Sequence, residues 1–383
     1  MTSRTTVLVG TTKGTVLIKS NHDRSAWTVK GPAPIGKGVT HLTADPQTGP
    51  IWAAGGGDFF GATVMKTTDG GETWTETKFA EGGFDTMMRA EPEFAAQIGY
   101  VDSGPAPFTG QITDLWSIRR VGTRLYAGGK PANLYKSDDD GETWTPVSGL
   151  NDHATRDSWS PGGAGLTLHT ILHDPANTDK LWVGISAAGI FASEDGGETW
   201  ERRNNRSNSQ AADHHDHGAC GHEIGHCVHN MVRASTSGDL IYQQNHNGVF
   251  KSHDGGRSWV EMTKGLPSDF GFPVAVHPRD PETLWVVPHV EHGRLPVDLK
   301  AAVWVSRDGG ETWKDQRNGL PQENCCYTVL RQSLATDNHE NFGLYFGTNS
   351  GSVFASFDEG ETWTEIASHL PTVLCVETLT HTN

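Results

Sequence analysis

Residues Gly189 to Arg203 read GIFASEDGGETWERR, and the eight at the centre, SEDGGETW from Ser193 to Trp200, decide the fold. A serine, an aspartate two residues on, two glycines and a tryptophan stand between two strand-like runs. The physical reading is a tight turn. The carboxylate accepts backbone N–H groups inside it, the glycines supply positive φ, and the indole covers an apolar surface. The pattern returns as TTDGGETW (Thr67–Trp74), SDDDGETW (Ser137–Trp144), SHDGGRSW (Ser252–Trp259), SRDGGETW (Ser306–Trp313) and SFDEGETW (Ser356–Trp363). A degenerate copy, SNHDRSAW, spans Ser20–Trp27, and the seven tryptophans are 47, 70, 56, 59, 54 and 50 residues apart.

These copies resemble the Asp-box, or BNR, repeat of sialidase-like and sortilin-like β-propellers, and the resemblance runs along essentially the whole chain. It implies an all-β, seven-bladed β-propeller of four-stranded antiparallel blades. Residues 1–383 then form one domain, with a His/Cys-rich insertion at 202–227. The unit ending at Trp200 shows four strands: LTLHTILH, KLWVGIS, GIFASED and TWERR. The first unit lacks its opening strand, because TTVLVGT (Thr5–Thr11) already matches the second. TVLCVETL (Thr372–Leu379) matches the missing one, so the two termini are expected to share a blade and leave no free edge. A propeller hosts many activities, so the repeat speaks to fold rather than function.

Composition agrees. Among 383 residues there are 46 glycines and 13 tryptophans, and the formal charge is −16. Glycine serves tight connections and tryptophan serves packed β surfaces. The acidic balance and the absence of a long basic run argue against nucleic-acid binding. No apolar run is long enough for a signal peptide core or a membrane span. Five cysteines without a secretion signal read as reduced thiols or ligands in a cytoplasmic protein.

The long connections, residues 79–110, 149–165 and 202–227 and the blade 6 loop PHVEHGRLPVDLKAA, are expected on one face, opposite the Asp boxes. Loops on a rigid scaffold carry function. Counting from the aromatic of each second strand (Trp182, Tyr242 and Trp285) places His169 and His229 thirteen residues earlier and Ser186, His246 and His289 four residues later. The four histidines are therefore expected to converge at the channel mouth. His41 and Asp114, which also begin inner strands, are further candidates. Imidazole nitrogens suit divalent transition metals, zinc first. Cys227 and His229 point to one side of their strand. Cys220, His222, Cys227 and His229 make a second tetrahedral set, and DHHDH (Asp213–His217) offers looser ligands. HEIGH (His222–His226) fits the zinc-protease pattern HExxH, but that pattern needs a helix and this stretch is glycine-rich.

Several chemistries stay open. A metal-dependent hydrolase or lyase acting on a small polar substrate uses His169, His229, His246, His289 and Cys227 for the metal and Glu223, His222 or Tyr327 for proton transfer. The sialidase resemblance implies three clamping arginines, which are not found at matching blade positions; Arg89 and Arg156 are scattered in loops. A glycoside hydrolase with paired carboxylates draws on Glu91, Asp102, Asp157 and Glu223. A non-catalytic scaffold presents one face to a protein partner or ligand, with Phe79, Phe84, Met87 and Met88 as apolar candidates.

Overall fold

The computed structural model describes residues 4–47, 49–102, 104–206 and 223–381. Their strands form seven antiparallel sheets, each built on four strands in meander order. Blade 4 is typical, with strands Leu168–Asp174, Asn177–Ile185, Gly189–Ser193 and Glu201–Arg202. Blade 5 follows as Val228–Arg233, Ile241–Asn245, Gly248–Ser252 and Val260–Glu261. Blade 6 carries an extra short strand, Leu295–Pro296, paired to the end of Leu284–Val290. The closure expected from the sequence is present: Val373–His381 pairs antiparallel with Arg4–Thr11 as the innermost strand of blade 1. The ring therefore presents no unpaired innermost strand.

Each Asp box is a hydrogen-bonded turn. In blade 4, Ser193 Oγ donates to Asp195 Oδ1 at 2.7 Å and accepts from the Gly197 N–H at 2.9 Å. Asp195 also accepts the N–H of Thr199 at 2.9 Å and its hydroxyl at 2.6 Å. The Thr199 hydroxyl leads the effects that hold the Asp195 carboxyl down at about 2. Gly196 and Gly197 both have positive φ, 70° and 96°, which only glycine adopts without strain. The Trp200 indole closes the turn by donating to Gly197 O at 3.0 Å.

The blades are latched to one another through these turns. Trp52, Tyr126, Trp182 and Trp285 stand on second strands and donate to carbonyls in the next blade's box, at Asp140, Gly196, Gly255 and Glu359. A second ring of bonds runs near the channel. Thr40 Oγ1 donates to Leu115 O at 2.6 Å, Ser117 Oγ to Leu168 O at 2.8 Å, and His169 Nε2–H to Val228 O at 2.8 Å. Each acceptor lies at the start of the following blade's innermost strand.

The long connection between blades 2 and 3 folds into two short helices, Gly83–Ala90 and Pro92–Gln97, which the strand-based reading did not anticipate. Phe79 and Met88 are buried there, whereas Met87 faces solvent. Among the described residues no helix is long and apolar enough to cross a membrane.

Candidate functional site

The innermost strands of blades 4 and 5 begin with a bulge. The register slips between Leu168 and Thr170 and again between Val228 and Asn230, leaving His169 and His229 as the extra residues. A bulge re-aims its side chain. Both imidazoles turn to a backbone carbonyl of the next blade, but they use different nitrogens. His169 donates from Nε2, and its Nδ1 lies 2.9 Å from Thr170 Oγ1. Both of its nitrogens are thus occupied, and burial drives its pKa down to about 3. His229 donates from Nδ1 to Gly271 O at 2.6 Å, which leaves Nε2 to accept from Cys227 Sγ at 3.7 Å.

His246 completes the group. Its ring centroid lies 5.4 Å from that of His229, and its Nε2 bonds Glu291 Oε1 at 3.0 Å. The ligand atoms of Cys227, His229 and His246 all lie within 4.8 Å of one another. Hydrogen bonding to Cys227 holds the His246 pKa above 6.5, with Glu291 assisting. Burial pushes that of His229 well below it.

The other candidates stand elsewhere. His289 does not join the group: its Nε2 accepts the Val329 N–H at 3.2 Å, and burial lowers its pKa to about 4. Like His169, it acts as a neutral structural histidine between blades. Ser186 Oγ is 4.0 Å from Cys227 Sγ. His41 donates from Nε2 to Glu377 at 3.2 Å, and Glu377 also receives Arg119 at 3.3 Å, in a separate part of the channel. Asp114 accepts the N–H groups of Gly57 and Leu115, and burial raises its carboxyl to about 6. Tyr327 lines a different cavity with Cys325 and Cys326. Cys220, His222 and DHHDH lie outside the described residues. From Glu223 to His226 the chain is not helical. Glu223 instead accepts from His226 Nε2 at 2.8 Å, while Arg202 donates to His226 Nδ1 at 2.7 Å. Arg89 pairs with Glu81 and Asp102, and Arg156 bonds Ala132 O and Asn133.

The Cys–His–His group opens into a cavity of about 760 Å³. Its walls come from three of the four long connections: residues 158–164 between blades 3 and 4, Arg202 and His226 between blades 4 and 5, and Glu291 and Arg294 in blade 6. Phe270, Phe272 and Arg331 complete it. Sequence reasoning passed over Arg294, Arg331 and Phe272. The signal was present: Phe272 stands thirteen residues before Trp285, the blade 6 counterpart of His169 and His229. Arg331 stands one residue before Gln332, the same position in blade 7 counted from Tyr345.

The turns and the ring define an Asp-box β-propeller with a Cys/His-lined cavity on the face opposite the boxes. The BNR/Asp-box repeat family matches residues 304–315. The chain is 24% identical over 250 residues to the oligoxyloglucan-reducing end-specific xyloglucanase of Emericella nidulans, covering 56% of this chain and 29% of that protein. It is also 24% identical over 300 residues to a sialidase of Bacteroides fragilis, covering 70% of this chain and 51% of that one. Among solved structures, the GH74 xyloglucanase from Xanthomonas campestris superposes with a TM-score of 0.61 at 16% identity, over 94% of this chain and 52% of its own. The chain thus spans about half or less of the length of these proteins. The likeness is to propellers among the glycoside hydrolases, and at the level of structure it is a likeness of fold.

Proposed function

We propose that this protein is a metal-dependent hydrolase or lyase for a small polar, carbohydrate-like substrate, with a divalent transition metal held by Cys227, His229 and His246. The observation that carries the reading is the treatment of the two imidazoles. Each has one nitrogen within 4.8 Å of the other ligand atoms, and each has a nitrogen bonded to an oxygen, Gly271 O or Glu291 Oε1. Metal-binding histidines are oriented in this way, and three protein ligands with an open side suit a catalytic zinc site. The donor chemistry, one thiolate and two imidazoles, suits zinc. A bound ion supplies Lewis-acid polarisation.

The chain's own groups supply the rest. Glu291 orients His246. His226, set between Arg202 and Glu223, lines the cavity and is assigned proton transfer, so Glu223 acts through it. The similarity to a xyloglucanase and a sialidase supports a carbohydrate-like substrate. A carboxylate-pair glycosidase has less support, because Glu291 is the one carboxylate among the described residues that line the cavity. The reading requires Cys227 reduced, which fits a cytoplasmic setting; Cys227, Cys325, Cys326 and Cys375 are all free thiols.

One observation favours a second reading. Cys227, His246 and Glu291 lie in the order of nucleophile, base and orienting carboxylate, with the Cys227 and His246 ligand atoms within 4.8 Å and His246 Nε2 bonded to Glu291 at 3.0 Å. Metal analysis of protein purified without added metal separates the two. The metal reading expects close to one equivalent, lost in Cys227→Ser and His229→Ala. Less than a tenth of an equivalent, with turnover abolished by thiol alkylation, supports the cysteine nucleophile instead. Neither metal nor turnover on a panel of glycosides, esters and lactones leaves a binding scaffold.

A further inference from the structure

Two of the arginines that line the cavity stand outside the salt-bridge network. Arg294 enters from the blade 6 loop and Arg331 from the connection leading into blade 7. Their guanidinium carbons lie 5.6 and 5.1 Å from the centroid of the Phe272 ring. Among the described residues, neither side chain has an ion pair, although salt bridges engage most other arginines of the chain. The Nε of Arg331 is out of contact with solvent and has no hydrogen-bond partner. Leaving the buried Nε of a guanidinium without a partner is costly, and an arginine fork matches the oxygens of a carboxylate or phosphate. The arrangement also adjoins the proposed metal site, since the Phe272 and His229 ring centroids are 4.8 Å apart.

We propose that Arg331 and Arg294 form an oxyanion clamp, so that the substrate carries a carboxylate or phosphate group close to its reacting centre. Arg331 is the fixed member, seated against Phe272. Arg294 stands at the exposed rim, where its guanidinium reaches towards the Gly163 segment. This inference builds on the proposed function by naming a substrate class, but the clamp does not need the metal in order to bind an anion.

The test is isothermal titration of the full chain at low ionic strength, where charge-assisted binding is least screened. Inorganic phosphate, D-glucuronate and D-glucose are titrated into zinc-free protein, and the two sugars also into zinc-loaded protein. The clamp expects saturable binding of phosphate or glucuronate, at least tenfold tighter than glucose, in the zinc-free form. Arg331→Met and Arg294→Met each weaken it at least tenfold, and Arg294→Met leaves the zinc content unchanged. Glucuronate ahead of phosphate identifies a carboxylate substrate, and the reverse a phosphorylated one. If Arg331→Met does not fold, as judged by circular dichroism, Arg294→Met decides. Anions binding no better than glucose, or binding unaltered in the folded variants, overturn the clamp. Anion binding without zinc uptake removes the metal reading and keeps the clamp; zinc uptake without anion binding does the opposite.

Discussion

The indole N–H of Trp182 in blade 4 donates to Gly255 O in the Asp-box turn of blade 5, at 2.9 Å. The same carbonyl accepts from Arg203 at 2.8 Å. The latch therefore joins second strand, turn and neighbouring blade. Trp182→Phe keeps much of the aromatic area and leaves Gly255 O satisfied. Its expected cost is about 1 kcal/mol for the lost bond, plus about 1 kcal/mol for the smaller ring. Urea denaturation of the two proteins measures it.

His169 and His229 occupy equivalent bulges, so a matched pair of substitutions separates staple from ligand. His169→Gln is expected to destabilise by roughly 1–3 kcal/mol, through loss of its bond to Val228 O, while retaining the metal. His229→Gln is expected to lose both stability and metal. Metal analysis beside a denaturation curve reads the two effects. Metal loss in His169→Gln as complete as that in His229→Gln contradicts the assignment.

Glu291 touches His246 rather than the proposed metal. Its replacement in Glu291→Gln is expected to weaken metal affinity by about 10- to 100-fold, the usual effect of losing a supporting carboxylate. Competition against a chromophoric chelator measures the change.

His289 is neutral in the fold, with its pKa lowered from 6.5 to about 4 by burial. Below pH 6.5 the unfolded chain takes up a proton that the folded chain refuses. Stability therefore falls as pH drops from 6.5 towards 4, and this contribution levels off below that. Between pH 7 and 5 the loss is roughly 1–2 kcal/mol. His289→Gln, which retains an acceptor for Val329, is expected to flatten that part of the pH–stability curve. Chemical denaturation at pH 7, 6 and 5 shows whether it does.

The fold was legible because its signal is local. Ser193, Asp195, Gly197, Thr199 and Trp200 complete their turn within eight residues, so each copy can be read without its neighbours. The site was legible in part. Blade offsets found His229 and His246 at the ends of adjacent strands of blade 5, and strand alternation added Cys227. The same offsets also named His169 and His289, because register fixes where a side chain starts and not which ring nitrogen faces a carbonyl. That choice depends on the adjoining blade. Arg331 and Arg294 were missed for a related reason: an arginine without a partner resembles any other arginine in a sequence. Tyr327 stands in an irregular segment ahead of blade 7 and lines a different cavity, which no strand register could foretell.

The bond from His229 to Gly271 makes the proposed reaction centre and the seam between blades 5 and 6 mechanically one object. An occupant gripping Nε2 also braces the opposite nitrogen against the neighbouring sheet. Loading the pocket thus stiffens the wheel at that spoke, and slow amide exchange around Gly271 becomes a remote gauge of whether the pocket is filled.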